Sequence, residues 1–203
     1  MADIEYFYSS HSAFAYLGSA RLMEIAAAGG HRLVHRPINL QPVIIAAGAG
    51  STRERTPEHR AYYFGREIMR WSEQRDAPVV DGIPTHHFND TTLANCMLIA
   101  AQCDGEHVDQ LAHAMLQAHW RDDADLADAS TLCALAEALG ADGEALLSSA
   151  RTQHTQQQHE ANVQEAIDRS VFGSPTYFVD GDMFYGQDRL EFVERALLRP
   201  YRR

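Results

Sequence analysis

The sequence contains no run of about 18 consecutive apolar residues, roughly the minimum for a bilayer span, so no segment is expected to cross a membrane. It contains no lysine at all. Its 17 cationic side chains are arginines, set against 28 Asp and Glu for a formal net charge of −11. Such a deficit opposes attraction to phosphate backbones and anionic lipid, which argues against nucleic acid and membrane surfaces as partners. Cysteine is equally scarce: Cys96, Cys103 and Cys133 form an odd set with no C-x-x-C pair and no histidine at zinc-ligand spacing. No metal site is therefore expected, and Cys96 and Cys103, which share an apolar helical stretch, read as small buried side chains. The opening residues enter an apolar, strand-like run with no leader pattern, so the cytoplasm is the expected compartment.

What is present suffices for a substantial core. With 45% hydrophobic residues in 203, the chain can build one core, or one core plus a packed helical insertion. Residues 3–9 are rich in aromatics and read as a strand, which the polar residues Ser9, Ser10, His11 and Ser12 break. Phe14, Leu17, Leu22, Ile25 and Ala26 then recur at helical spacing until Gly29 and Gly30 stop the pattern. Residues 33–40 read as a second strand, parallel to the first through a right-handed crossover. From 43 to about 166 the pattern is helical, with helices predicted over 59–73, 89–103, 108–120, 129–139, 143–149 and 155–170. Residues 176–179 and 182–185 are strands joined by an Asp180-Gly181 turn, and Leu190, Val193, Ala196 and Leu197 mark a last helix. The order β-α-β, helical block, α-β-β-α predicts an α/β, thioredoxin-like fold with a large all-helical insertion. Residues 1–42 and 156–203 form the discontinuous thioredoxin-like domain, and 43–155 the inserted helical domain.

Three places carry candidate chemistry. Ser12 stands where the first helix begins and is suited to cap it. In thioredoxin folds the same turn holds a nucleophilic sulfur, because unpaired N–H groups and the helix dipole favour a thiolate. An oxygen stands here instead, so a sulfur must come from a ligand. Pro175 enters the hairpin; as the first residue of a strand it is ordinary, but a cis bond facing the first helix leaves the N–H and C=O of Ser174 free for an extended, peptide-like ligand. Tyr185, Gly186, Gln187 and Asp188 precede the last helix. Asp188 and Glu191 have capping-box spacing, and the Asp188 carboxylate can also hold the ammonium of an amino-acid-like ligand. Two other groups read as structural: His86 and His87 point apart on an extended segment and lack a third metal ligand, and Tyr62, Tyr63 and Phe64 read as helix core before pocket wall.

Together, Ser12-Ala13-Phe14-Ala15-Tyr16-Leu17, Val171-Phe172-Gly173-Ser174-Pro175-Thr176 and Phe184-Tyr185-Gly186-Gln187-Asp188-Arg189-Leu190 resemble the 2-hydroxychromene-2-carboxylate isomerases, relatives of the kappa-class glutathione transferases. Arg70-Trp71 with Pro78, and Ala118-His119-Trp120 running to Asp128, resemble the same family's helical domain. The resemblance implies glutathione as cofactor and reversible cis–trans isomerisation of an unsaturated aromatic acid in aromatic hydrocarbon catabolism. Under it Ser12 activates the glutathione thiol, Ser174 ahead of Pro175 pairs with the cysteinyl part, and Tyr185, Gly186, Gln187 and Asp188 hold the γ-glutamyl end. A homodimer is implied as well. The chain departs from the family pattern at Ala13, where proline is common, at His11, where an apolar residue is common, at Ser174 in place of valine, and at Ile44, where naphthalene-pathway members carry a lysine. His11 and Ile44 are thus candidate substrate contacts, and Arg53, Arg55, His59 and Arg60 are candidates for a substrate carboxylate. A kappa-like conjugating transferase and a non-catalytic glutathione or hydrophobic-ligand binding module stand as alternatives; the missing C-x-x-C opposes a dithiol oxidoreductase.

Overall fold

The computed structural model describes residues 1–49, 55–105 and 107–202. A four-stranded sheet in the order β2-β1-β3-β4 runs through its centre. Strand β1 (Asp3–Tyr8) pairs in parallel with β2 (Arg32–Pro37) through helix α1 (Ala13–Gly29), and antiparallel with β3 (Thr176–Val179), which turns into β4 (Asp182–Tyr185). Asp180 and Gly181 both have positive φ, 49° and 79°, as a tight two-residue hairpin turn demands.

Strand alternation assigns the two faces of the sheet. Ile4, Tyr6, Tyr8, Tyr177 and Val179 point one way, into a core with Leu17, Leu22 and Ile25 of α1 and Leu190 and Val193 of α10 (Leu190–Leu198). The Tyr6 ring stacks on Tyr8 and Tyr177 there, with centroids 4.0 and 5.4 Å apart. Phe7 and Phe178 point the other way, against α2 (Leu40–Ala46) and α9 (Gln153–Asp168) through Val43 and Ala166. Arg169 closes this second face: it bonds both Glu5 oxygens and lies 3.7 Å from the centre of the Phe178 ring.

The helices between β2 and β3 include α5 (Thr92–Asp104), α6 (Val108–Asp122), α7 (Ala129–Glu137) and α8 (Gly143–Ala150). Their buried residues Met97, Leu98, Met115, Leu116, Leu132, Leu146 and Leu147 belong to the same cluster as the first face of the sheet, so the apolar interior is continuous from sheet to helical block. Side-chain oxygens of Asp128, Asp142 and Thr152 cap α7, α8 and α9. Among the described residues no helix is long and apolar enough to cross a membrane.

The structure departs from the sequence expectations at three places. Strand β2 ends at Pro37, and Asn39 accepts from the Gln41 N–H to start α2, a helix too short for its periodicity to mark. The helix expected over 59–73 is a composite: α3 (Pro57–Arg60), a π-helical segment at Ala61–Arg66, and α4 (Glu67–Arg75). Cys96 is buried but Cys103, a full heptad later on the same helix face, is exposed, because packing on that face stops before the helix does.

Asn95 of α5 ties the helical block to the end of β1. Its Oδ1 accepts from the Ser10 N–H at 3.2 Å, while Nδ2 reaches the Ile38 carbonyl at 3.2 Å and His159 Nε2 at 3.3 Å. The side chain is 1% exposed, so water cannot replace it. Asn95→Ala is expected to lower unfolding free energy by about 3 kcal/mol in urea titrations, since it strands buried partners and leaves a void; a change below about 0.5 kcal/mol would remove this anchor from the account.

Candidate active site

The turn at residues 9–12 is built almost wholly from hydrogen bonds to distant elements. The Ser9 N–H donates to Ser174 Oγ at 3.1 Å, the Ser10 N–H to Asn95, and Trp120 Nε1 of α6 donates to the His11 carbonyl at 2.8 Å. The Ser12 N–H closes the turn on the Ser9 carbonyl at 3.0 Å. Ser12 is extended (φ −75°, ψ 123°), and its Oγ accepts from the Ala15 N–H at 3.3 Å, so the N-cap reading holds. The same hydroxyl donates to the Ser174 carbonyl at 3.3 Å. Both bonds are long, so the hydroxyl is held weakly enough to turn toward another acceptor.

The Ser174–Pro175 peptide is cis. It brings Ser174 to the start of α1, and the Ser174 N–H makes no hydrogen bond to any described residue. The Pro175 carbonyl is taken by the Gly186 N–H at 2.9 Å, which draws the segment after β4 alongside. An open cleft of about 120 Å³ lies there, walled by Ser174, Tyr185, Gly186, Gln187 and Asp188 from the hairpin side and by Phe14, Tyr63, Glu67 and Trp71 from the helices. Of the candidate site residues expected from the sequence, Ser174, Tyr185, Gly186, Gln187 and Asp188 stand together on the cleft. Ser12 and Pro175 lie behind it, joined to it through Ser174. His11 and Ile44 do not reach it: Ile44 is 5% exposed in α2, and His11 turns toward the helical block.

Two local expectations change here. Asp188 and Glu191 form no capping box. A 3-10 turn (Gln187–Arg189) precedes α10, and its start carries no side-chain cap; Asp188 instead pairs with Arg189 at 2.7 Å, and Glu191 with Arg75 at 3.3 Å. Tyr62 and Tyr63 are not core either: Tyr62 is 55% exposed and Tyr63 lines the cleft, its ring tilted 4.9 Å from Phe14, whereas Phe64 does pack against the core. The π-helical register there breaks the 3.6-residue period on which the core reading depended. Burial, with Tyr185 alongside, raises the Tyr63 hydroxyl above its usual range, so it stays protonated as a donor. Of the cationic candidates, Arg53 lies outside the described residues. The Arg55 guanidinium sits over the Tyr63 and Phe64 rings, His59 packs 5.6 Å from Tyr63, and Arg60 is exposed.

Gly18 matters through close approach. A Cβ on it would stand 2.6 Å from Gln187 Cβ and 3.3 Å from the Tyr177 hydroxyl, so α1 and the 3-10 turn touch only because no side chain intervenes. The sequence reading also missed a cluster of imidazoles behind the turn. His87 Nδ1 meets His119 Nε2 at 3.1 Å, and the His11 ring packs 4.9 Å from His87, edge to face. Since His119 Nδ1 faces the Ala124 carbonyl at 3.0 Å, it carries the proton, and His119 Nε2 accepts from His87. His86 turns away to Asp125, so neighbours do diverge as expected; the partners of His87 come from segments far away in sequence. Burial lowers His11 to about 4 and His87 to about 3, with repulsion from neighbouring imidazoles as the second cause; burial also lowers His119.

Comparison with known proteins agrees with this architecture. The family model for the DSBA-like thioredoxin domain matches residues 3–198. A 2-hydroxychromene-2-carboxylate isomerase of Sphingobium xenophagum is 29% identical over 197 residues, covering 96% of this chain and 97% of that protein. A solved 2-hydroxychromene-2-carboxylate isomerase has the same fold, with a TM-score of 0.82 at 24% identity over 97% of this chain and 95% of that one. The cytosolic disulfide reductase DsbM of Pseudomonas aeruginosa, solved with GSH, shares the fold at a TM-score of 0.64 and 17% identity, over 98% of this chain and 93% of that one.

Two outcomes test the site as built. Gly18→Ala is expected to push Gln187 off α1 and cost about 1–3 kcal/mol of stability, seen as a lower urea midpoint; a stabilised variant, as ordinary helix propensity would give, contradicts the close approach. The imidazoles set a pH dependence. Their folded pKa values lie below the unfolded value of about 6.5, so the unfolded chain binds more protons, and stability falls as pH drops from about 7 toward 4. Urea unfolding at pH 5 is expected to give about 1–2 kcal/mol less stability than at pH 7.5, allowing for solvent access at the partly exposed rings. Burial lowers His113 and His159 too, so the cluster's share is read from His87→Gln, which flattens the slope; an unchanged slope in that variant contradicts it.

Proposed function

This chain belongs to the DSBA-like thioredoxin domain family, and we propose that it binds glutathione and catalyses the cis–trans isomerisation of an unsaturated aromatic acid; relatives named 2-hydroxychromene-2-carboxylate isomerase support the isomerase part of this reading. The observation that carries the reading is the Ser12 hydroxyl bonded to the carbonyl of the residue before the cis proline, beside a cleft with no cysteine on its wall. The turn offers a site for a thiolate and supplies none of its own.

The residues present fit a γ-glutamyl tripeptide. Ser174 has an unpaired N–H and a weakly held carbonyl, as an extended peptide's main chain requires for pairing. Gln187 Nε2 is buried and lacks a partner among the described residues, and Asp188 adds a carboxylate for an ammonium group. Bound there, glutathione supplies a thiolate for reversible addition to, and elimination from, the substrate's conjugated double bond, which turns while it is a single bond. Ser12 rotates its hydroxyl from the Ser174 carbonyl to donate to the sulfur, and the N-terminus of α1 adds its unpaired N–H groups and dipole. A free thiol of pKa about 8.5 is only a few per cent ionised at pH 7, so bringing that value down to about 7.5 raises the reactive fraction about eightfold, and to about 6.5 about 25-fold. Phe14, Tyr63 and Trp71 offer ring faces to an aromatic substrate.

A second reading draws on the charge of the wall. Glu67 and Asp188 both face the cleft, and their neighbours Arg70 and Arg189 are paired with them, which favours conjugation of a neutral electrophile over binding of an aromatic acid. The test follows absorbance of a chromene carboxylate with and without glutathione, and of a neutral electrophile in parallel. Isomerisation that requires glutathione and falls about tenfold in kcat/KM in Ser12→Ala is the expected result. Turnover indifferent to glutathione or to Ser12→Ala would defeat the mechanism, and conjugation of the neutral compound alone would favour the transferase.

A further inference from the structure

Arg75, the last residue of α4, lies outside the cleft but touches two residues of its wall. Its side chain is 16% exposed. Nε donates to Gln187 Oε1 at 3.2 Å, and Nη2 donates to the Gln187 main-chain carbonyl at 3.4 Å and to Glu191 Oε1 at 3.3 Å. The guanidinium also lies 5.3 Å from the centre of the Trp71 ring, one turn earlier in the helix. Trp71 and Gln187 both line the cleft, from opposite sides.

A guanidinium has only donors, so the Gln187 amide must turn its oxygen toward Arg75. Its Nε2 is thereby directed elsewhere, buried and without a partner among the described residues. Gly18 of α1 approaches the Cβ of the same side chain closely, limiting its room to slide. The amide is thus clamped at its oxygen and its Cβ while its donors stay unclaimed, and buried amide donors in folded proteins nearly always meet an acceptor.

We propose that Arg75 is a positioning residue for the amino-acid end of the thiol ligand. By holding Gln187 in one orientation it presents Nε2, and the adjoining Asp188, to the γ-glutamyl carboxylate and ammonium groups, and it makes that subsite depend on the helical block. The inference rests on the glutathione reading and adds to it a residue outside the cleft wall.

The test measures glutathione binding by calorimetry, and KM and kcat with glutathione varied, in wild type, Arg75→Met, Arg75→Lys, Gln187→Ala and the Arg75→Met/Gln187→Ala double variant. Arg75→Met is expected to raise the glutathione Kd and KM about tenfold, as loss of one charge-assisted hydrogen bond does, with kcat at saturating glutathione within about twofold. Arg75→Lys keeps the charge and loses the fork, and is expected to lose at least about threefold; it carries the comparison should Arg75→Met not fold. Acting mainly through the Gln187 amide, Arg75→Met is expected to cost clearly less in the Gln187→Ala background than in wild type, the remainder coming from its bond to the Gln187 main-chain carbonyl. Unchanged affinity in both single Arg75 variants, or full additivity in the double variant, overturns the positioning role while leaving the glutathione reading intact. A wild type that does not bind glutathione overturns both.

Discussion

A helix N-terminus is useful to an anionic ligand only while its first N–H groups stay in place and unpaired, and the start of α1 meets that condition through bonds made by other elements. Ser174, Asn95 and Trp120 each satisfy one main-chain group of the turn at residues 9–12, from the hairpin entry, α5 and α6 in turn. Only Ser12 Oγ reaches into the first turn of the helix, at 3.3 Å. The turn can therefore not relax toward solvent without breaking buried bonds in three directions, each costing about 1–3 kcal/mol if left unmade. This is the physical use of the helical block: its residues lock the end of β1 and so orient the dipole of α1, which α6 also holds directly through Ser19 and His113.

The strands, α1 and the hairpin were legible because their signals are local. Alternation in β1, paired glycines after α1 and Asp180-Gly181 each specify geometry within a few residues. The residues of the cleft wall contributed by the hairpin, from Ser174 to Asp188, were legible for a different reason, a resemblance in motif order. The opposite wall was not. Tyr63 and Trp71 sit on a helix whose period is interrupted by a π-helical segment, and a pattern argument that assumes 3.6 residues per turn assigns the wrong face beyond the interruption. The imidazole cluster escaped for a third reason: His11, His87 and His119 come from a strand-helix turn, a loop and α6, and no spacing rule joins them.

Those imidazoles show how burial settles a question that composition leaves open. His11 adjoins Ser12, and an imidazole that titrates near neutral pH suits an anionic substrate, which made it a candidate substrate contact. Enclosed by His87, His119 and Thr91, it remains neutral well below neutral pH, so it contributes no charge to the turn under ordinary conditions. What it offers is shape: its carbonyl receives Trp120, and its ring fills the space behind the cap.

The absence of lysine has a counterpart in the charge of the cleft. Every arginine beside it is engaged: Arg70 with Glu67, Arg189 with Asp188, and Arg75 with Gln187 and Glu191. Arg55 stands at the aromatic side, over Tyr63 and Phe64, where it meets ring faces and no carboxylate among the described residues. The wall formed by Gln187 and Asp188 thus offers donors and negative charge together, and the aromatic wall offers rings with a cation above them. Under the proposed function a zwitterionic amino-acid head would match the first and a ring the second, where Glu67 opposes an acid and Arg55 favours one. The two ligands would then meet at the edge between the walls, where Ser174 and the start of α1 lie.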